Sequence, residues 1–171
     1  MANAANVRAT SMSNLRTLLV LMLLLASANI ASAHRLTLPG EIEIKLFFTN
    51  PNLPGFKDDC GAGEFVKRKV PATTRIADAA LKSLFAGPTA AEKAKGMQDT
   101  GLPGDYYLGV TIKKGVAIVN FRHGAEAFLH VSGPTCYQAT ILAPITQTLK
   151  QFSAIKVEYA IDGRIIKDWD A

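Results

Sequence analysis

A helix stop with a second helix start directly after it constrains the fold more than any other feature of this chain. The helical pattern over residues 84–86 runs into Gly87-Pro88. Because glycine tolerates the left-handed conformation and proline cannot continue a helix, the first helix has to end here. Thr89 and Glu92 have the spacing of a capping box, which predicts a short second helix that stops at Gly96.

A hairpin is predicted just after this second helix. Residues 106–112 and 116–121 are two β-rich runs, and Lys113-Lys114-Gly115 between them has the composition of a tight turn. Upstream, residues 41–49 alternate charged and apolar side chains, which predicts a strand with one buried and one wet face. Residues 64–70 are predicted to be a short edge strand, after a surface loop rich in proline and glycine.

Two amphipathic helices are predicted to cover the sheet. The first begins at a Thr73 or Thr74 cap and ends at Phe85. The second runs over about residues 135–152, and Pro144 predicts a kink in it or a late start. Residues 122–134 are predicted to be loop. Alternation over 155–161 predicts a last strand, which the Asp162-Gly163 turn joins to the short run 164–166. This element order predicts a single two-layer α+β domain, with two helices on a mostly antiparallel sheet.

The first 33 residues form a predicted secretory signal. Arg8 and Arg16 are its only charges, residues 18–26 are an unbroken apolar run, and Ala31-Ser32-Ala33 offers small residues at a cleavage site. The sequence therefore predicts cleavage between Ala33 and His34, which leaves a domain of residues 34–171.

The location outside the cytoplasm follows from this segment. Its apolar run is shorter than the roughly 20 residues that span a bilayer, and no cysteine directly after it could carry a lipid. We expect a periplasmic or secreted protein without a lipid anchor, which meets the membrane only through the signal segment before cleavage. Retention of the segment as an anchor is the alternative.

The charge of the chain is modest. The formal net charge is +5, and removing the two arginines of the signal leaves +3. Lys67-Arg68-Lys69 is the only basic cluster, and no aromatic residues are interleaved with it, as a nucleic-acid platform would require. We therefore expect a solvated edge strand protected by lysines and no nucleic-acid partner.

Cys60 and Cys136 are the only cysteines, and an exported chain meets oxidising surroundings. A disulfide between them is the default prediction. The alternative is a metal site that adds His123 and His130, but the seven-residue histidine spacing and the lack of a CxxC pair disfavour zinc. A Cys-His nucleophile is disfavoured as well, because a paired cysteine offers no thiolate. We predict no metal and no cofactor.

Several segments together resemble the GerMN (sporulation and spore germination) domain family over about residues 42–166. The segments that carry the resemblance are 44–48, 84–89, Gly96 followed by Leu102-Pro103, 115–121, 145–152 and 157–163. The resemblance implies a βαββαβ fold similar to the ring-building motif, in exported or envelope-anchored proteins without known catalytic residues. The chain departs from the family pattern in lacking a lipid-anchor cysteine, in having Pro144 within the second helix and in its cysteine pair.

Three functions are compatible with these features. We expect a non-enzymatic envelope module that binds a protein partner or itself through a sheet edge or a helix face, with no catalytic residues. A small envelope hydrolase is an alternative, although its candidate carboxylates are dispersed in turns: Asp58, Asp59, Asp99, Asp105, Glu126, Asp162 and Asp168. A peptidoglycan or carbohydrate binder is the other alternative, and its candidate aromatics are Tyr106, Tyr107, Tyr137 and Trp169.

Overall fold

The structure is a computed structural model, and it describes residues 40–129 and 135–167. The predicted signal segment, with its cleavage site at Ala33 and His34, lies outside these residues. His130, Asp168 and Trp169 lie outside them as well, so the predictions that involve them stay predictions.

Strands and helices follow one another nearly in the predicted order. The strands are β1 (Glu41–Thr49), β2 (Gly63–Pro71), β3 (Tyr107–Lys113), β4 (Val116–Phe121), β5 (Lys156–Ile161) and β6 (Arg164–Ile165). The helices are α1 (Ile76–Phe85), α2 (Ala90–Ala94), α3 (Glu126–Leu129) and α4 (Thr135–Lys150), with 3-10 turns at Pro54–Lys57 and Gly104–Tyr106. The predicted α+β class is confirmed.

The strands divide between two sheets, where the sequence predicted one. β1 and β2 form an antiparallel pair, and β3, β4, β5 and β6 form a second sheet in that order. Within the second sheet β4 and β5 are parallel, and the other two pairings are antiparallel. Parallel neighbours need a long crossover, and the segment that contains α3 and α4 supplies it.

Helix α4 covers the free edge of β1 and so accounts for the separate sheet. The Lys45 backbone N–H donates to Gln151 Oε1 at 3.0 Å, and Gln151 Nε2 donates to the Lys45 carbonyl at 2.6 Å. The Phe47 N–H donates to Thr148 Oγ1 at 3.0 Å. These side chains provide the hydrogen bonds that a neighbouring strand would otherwise provide, so the edge of β1 is not open to another strand.

The hydrophobic core lies between the helices and the inner faces of the sheets. Ile44, Leu46 and Phe48 of β1 are buried, as the alternating pattern predicted, but Phe47 and Thr49 on the opposite face are buried as well, so the predicted wet face is wrong at that end of the strand. The other large, fully buried side chains include Leu81 and Leu84 of α1, Phe121 of β4, and Ile141, Ile145 and Leu149 of α4. Burying a side chain of this size stabilises the fold by about 1.5–3 kcal/mol.

The capping box and the hairpin turn are confirmed. Thr89 Oγ1 accepts from the Glu92 N–H at 3.3 Å, and a Glu92 carboxylate oxygen accepts from the Thr89 N–H at 2.6 Å. Between β3 and β4, Lys114 has a φ of 50° and Gly115 a φ of 80°. Two consecutive positive φ angles are characteristic of the type I′ turn, whose twist matches that of the strands.

Two further local predictions were wrong, and of the two outcomes predicted at Pro144 the late start does not occur. Neither Thr73 nor Thr74 caps α1: its N-cap is Arg75, without a side-chain cap, and Thr73 Oγ1 accepts from the Arg75 N–H before the helix begins. Part of the predicted loop is the helix α3, whose buried Leu129 gives it a place in the core. Helix α4 begins at Thr135 and passes through Pro144 without the predicted late start.

The structure joins Cys60 to Cys136, with Cα atoms 5.0 Å apart. This separation lies within the roughly 4.4–6.8 Å that disulfides span. The bond connects the loop after β1 to the first turn of α4, over a sequence separation of 76 residues.

Arg68 is the inward-facing member of the basic cluster. It forms an ion pair with Glu92 across the junction of β2 and α2, and its guanidinium lies 5.9 Å from the centre of the Phe48 ring. Burial acts to raise the pKa of Glu92, but hydrogen bonds from Thr89 and Arg68 outweigh it and hold the pKa below the ordinary 4.5. This pair therefore attaches the second helix to the first strand pair.

We expect the double replacement Cys60→Ser/Cys136→Ser to lower the free energy of unfolding by about 4 kcal/mol, because the closed loop restricts the unfolded chain. Urea unfolding of the oxidised wild-type protein and the variant measures the difference. Reduced wild-type protein is the control, and its unfolding midpoint in urea should equal that of the variant. Equal midpoints for the oxidised and reduced wild-type protein would contradict the prediction.

We expect Glu92→Gln to lower stability by about 1–2 kcal/mol near pH 7, because glutamine preserves the capping box but leaves Arg68 without its charged partner. A lowered folded-state pKa stabilises the fold above the unfolded value near 4.5, and this stabilisation is lost as the pH falls through the folded-state pKa. Urea unfolding near pH 7 and at about pH 3 checks this: the gap between the proteins should shrink in acid. A stability difference that is the same at both pH values would contradict the conclusion that the charge of Glu92 stabilises the fold.

Candidate functional site

An open groove lies between the solvent side of the β1–β2 pair and the C-terminal half of α4. Its volume is about 720 Å³, which is room for several side chains of a ligand. The residues that line it are Lys45, Phe65, Lys67, Gln147, Lys150 and Gln151. A long charged or aromatic side chain on each of three elements thus faces one space.

The alternation of the strands places these residues on one face. Ile44, Leu46 and Phe48 point inward, so Lys45 points outward. In the antiparallel register Lys45 lies directly opposite Lys67, and Phe47 lies directly opposite Phe65. Within the groove the two lysines therefore lie beside Phe65, whose cross-strand neighbour Phe47 is buried.

The aromatic pair gives the groove a fixed apolar wall. The rings of Phe47 and Phe65 meet edge to face, with centres 5.1 Å apart. Phe47 is buried, whereas Phe65 is 51% exposed. An aromatic ring that a buried neighbour holds in place, and that still faces solvent, is well suited to contact a ligand.

The lysines give the groove a positive charge that the protein only partly neutralises. Lys67 Nζ lies 2.9 Å from Glu43 Oε1, and this hydrogen bond together with the charge of Lys67 lowers the pKa of Glu43. The ammonium groups of Lys45 and Lys150 have no ion pair or hydrogen bond with any residue of 40–129 or 135–167. Like charges directly opposite one another in a sheet are destabilising, and an anion between Lys45 and Lys67 would relieve this repulsion.

The carboxylates proposed from sequence as hydrolytic groups are dispersed where the structure describes them, and Asp58 and Asp105 lie at or within 3-10 turns. Asp59 Oδ1 accepts from the Gly61 N–H at 2.8 Å, and Asp99 pairs with Lys93 at 3.0 Å. Asp162 lies in the β5–β6 turn with a positive φ. Glu126 pairs with His123 at 2.9 Å on the surface, and the hydrogen bonds around Glu126 lower the pKa of its carboxyl. Within the described ranges no three histidine, cysteine or acidic side chains are grouped so that they could hold a metal ion.

A buried carboxylate that sequence reasoning missed is Asp78 of α1. It accepts from Tyr107 Oη at 2.9 Å and pairs with Lys82 at 3.0 Å. Burial first, and the Asp78 charge second, raise the pKa of Tyr107, so this phenol stays protonated and donates to Asp78. The contact attaches α1 to β3. Its i, i+4 spacing to Lys82 is visible in the sequence, but the tyrosine partner is not.

The aromatic residues proposed as carbohydrate contacts have varied positions. Tyr107 packs against Phe85 and Phe121, and Tyr106 packs against Phe128, so both are half-buried. Tyr137 is exposed on α4. The most exposed aromatic ring that the structure describes is Phe65, which was not among the candidates.

None of the helices within the described ranges combines the length and the hydrophobicity that a membrane span requires. The fold and the groove define a two-layer α+β domain with a positively charged, partly aromatic surface. A family profile named Germane and described as "Sporulation and spore germination" matches residues 45–167. The chain belongs to this family, which confirms the resemblance drawn from the sequence.

Two solved structures with the same fold are both from Bacillus subtilis. One holds the tandem GerMN domains of the sporulation protein GerM, with a TM-score of 0.54 and 24% identity over 77% of this chain and 43% of that chain. The other is the first GerMN domain of the same protein, with a TM-score of 0.51 and 27% identity over 76% of this chain and 90% of that chain. This chain thus spans less than half the length of the tandem-domain structure. No curated protein matches it.

We expect Lys45→Gln to leave the free energy of unfolding unchanged or to raise it by up to about 0.5 kcal/mol, because it removes the like charge opposite Lys67. Urea unfolding at low salt measures the change, and added salt should diminish it. Lys113→Gln is the matched control, since Lys113 is an exposed strand lysine opposite Val116. A Lys45→Gln protein clearly less stable than the control would contradict the repulsion.

Proposed function

We propose that this protein is a non-enzymatic module that works outside the cytoplasm and binds a protein partner in the cell envelope. The observation that carries the proposal is the groove, where three lysines, of which Lys67 alone has an ion-pair partner among the described residues, lie beside an exposed aromatic ring. Aromatic residues are enriched at protein interfaces, and their anchoring contacts are typically framed by polar rims. The site is thus equipped to hold a ligand by charge and by apolar contact.

The engagement of the other ionisable groups supports binding over catalysis. Asp78 is committed to Tyr107 and Lys82, and Glu92 is committed to Arg68 and the capping box. A general acid or base needs a perturbed group with free access to substrate. These carboxylates instead hold helices to strands.

A location outside the cytoplasm is supported by the predicted secretory signal and by the cysteine pair. Disulfides persist in oxidising compartments and are rare in the cytosol. The family description supports a role in sporulation or spore germination. We propose that the module binds its partner within a protein assembly that serves one of these processes. This step rests on family membership, because a fold by itself does not define a function.

Photocrosslinking in the cells that make the protein tests this function. A photoreactive amino acid replaces Gln147 in the groove, or Leu108, Lys113 or Ile155 on other surfaces, within the full-length chain. We expect irradiation to give protease-sensitive adducts of higher mass from at least one position. Adducts that disappear on digestion of the cell wall would instead support the peptidoglycan-binding alternative, and no protein adduct from any position would refute the proposal.

A further inference from the structure

We propose that the groove binds an acidic peptide segment, whose carboxylates pair with Lys45, Lys67 and Lys150 while an apolar side chain between them packs against Phe65. The inference rests on the proposed function and names the chemistry of the partner. It concerns the surface between β1, β2 and α4 alone.

The positive charges of the groove favour a ligand that carries carboxylates. Lys45 and Lys67 are held opposite one another by the strand register, and Lys150 faces them from the last residue of α4. Glu43 forms an ion pair with Lys67 and also attracts Lys45, so a single carboxylate is shared by two of the three lysines. A carboxylate placed over the lysine pair would gain from two cations at once and would remove their mutual repulsion.

The exposed ring of Phe65 favours a ligand that also carries an apolar side chain. Phe65 keeps about half of its surface in solvent, although its ring contacts that of the buried Phe47. The groove therefore has an apolar wall within reach of its charges. A segment that carries acidic and apolar side chains at every second position matches this pattern, because alternate side chains of an extended peptide point to the same side.

The acidic residues of the same face favour a short peptide over a long uniform polyanion. Beyond Lys67, the outward face of the strand pair continues with Glu41, Glu43 and Lys69, and Lys69 Nζ lies 3.6 Å from Glu41 Oε2. A polyphosphate or wall polymer that followed this face would meet carboxylates directly after the lysines. The positive region is thus limited to the groove, where a few carboxylates fit.

Gln147 adds a means to distinguish a peptide from a simple anion. The Gln151 amide is fully occupied by the Lys45 backbone and the Thr148 carbonyl. Gln147 lines the groove beside it. A primary amide can donate to a peptide carbonyl and accept from a peptide N–H, whereas a polyphosphate offers it only acceptors.

Fluorescence anisotropy of the full-length protein with defined probes tests the proposal. The probe is a short labelled peptide with glutamates around a central phenylalanine, and the matched peptide has glutamine at each glutamate. We expect saturable binding of the acidic peptide that weakens with salt, and affinity for the glutamine peptide lower by about tenfold. We expect Lys45→Gln/Lys67→Gln and Phe65→Ser each to weaken binding about fivefold to tenfold, while Lys113→Gln binds as the wild type.

A charge reversal guards against loss of binding through misfolding. Lys45→Glu/Lys67→Glu should lose the acidic peptide and gain a peptide with lysine in place of each glutamate, which an unfolded protein could not do. Circular dichroism of each variant confirms that it is folded.

Three results would overturn the inference: no saturable binding of the acidic peptide, equal binding by the groove variants and the wild type, or tighter binding of polyphosphate or of vesicles containing anionic phospholipid. The crosslinking experiment separates this failure from that of the proposed function. Protein adducts that persist in Lys45→Gln/Lys67→Gln cells would preserve a binding module and refute the groove, whereas loss of all adducts from the wild type would refute the module itself.

Discussion

The side chains of Thr148 and Gln151 on the free edge of β1 are the contact on which the rest of the architecture depends. An exposed strand edge offers unpaired N–H and C=O groups, and proteins usually cover it with another strand or with charge. Here a helix covers it, with the Gln151 amide making two hydrogen bonds to Lys45 as a peptide unit would. This separates β1 and β2 from the four-stranded sheet and fixes how α4 lies along them.

The groove is a geometric consequence of that contact. Once Gln151 is fixed beside Lys45, Lys150 and Gln147 are brought to the same side of the strand pair. The buried face of α4 at Ile141, Ile145 and Leu149 prevents the helix from rotating without exposing the core. Core packing and edge hydrogen bonds therefore set the spacing of the three lysines, although none of the lysines contributes to the core.

The sequence was sufficient for two features that local chemistry decides, although it misplaced the N-cap of α1. The capping box of Thr89 and Glu92 and the hairpin turn at Lys114-Gly115 need only neighbouring residues, and both were predicted. The groove could not be predicted, because Lys45 and Gln151 are 106 residues apart and meet only through the fold. In the sequence, residues 67–69 form one basic cluster. The alternation of the strand turns Arg68 inward to Glu92 and leaves the two lysines outside.

The charges on the outward face of β1 and β2 stabilise the strand pair at some positions but not at Lys45. Elsewhere on this face charges are matched diagonally across the strands, as Glu41 with Lys69 and Glu43 with Lys67, whereas Lys45 lies directly opposite Lys67. A lysine at this position faces a like charge across the strands, and the Glu43 carboxylate that attracts it is shared with Lys67 and Lys69. Sequences that fold well agree at every level except where a site requires otherwise. The local conflict at Lys45, next to an exposed Phe65, is therefore more readily explained by a ligand than by the fold.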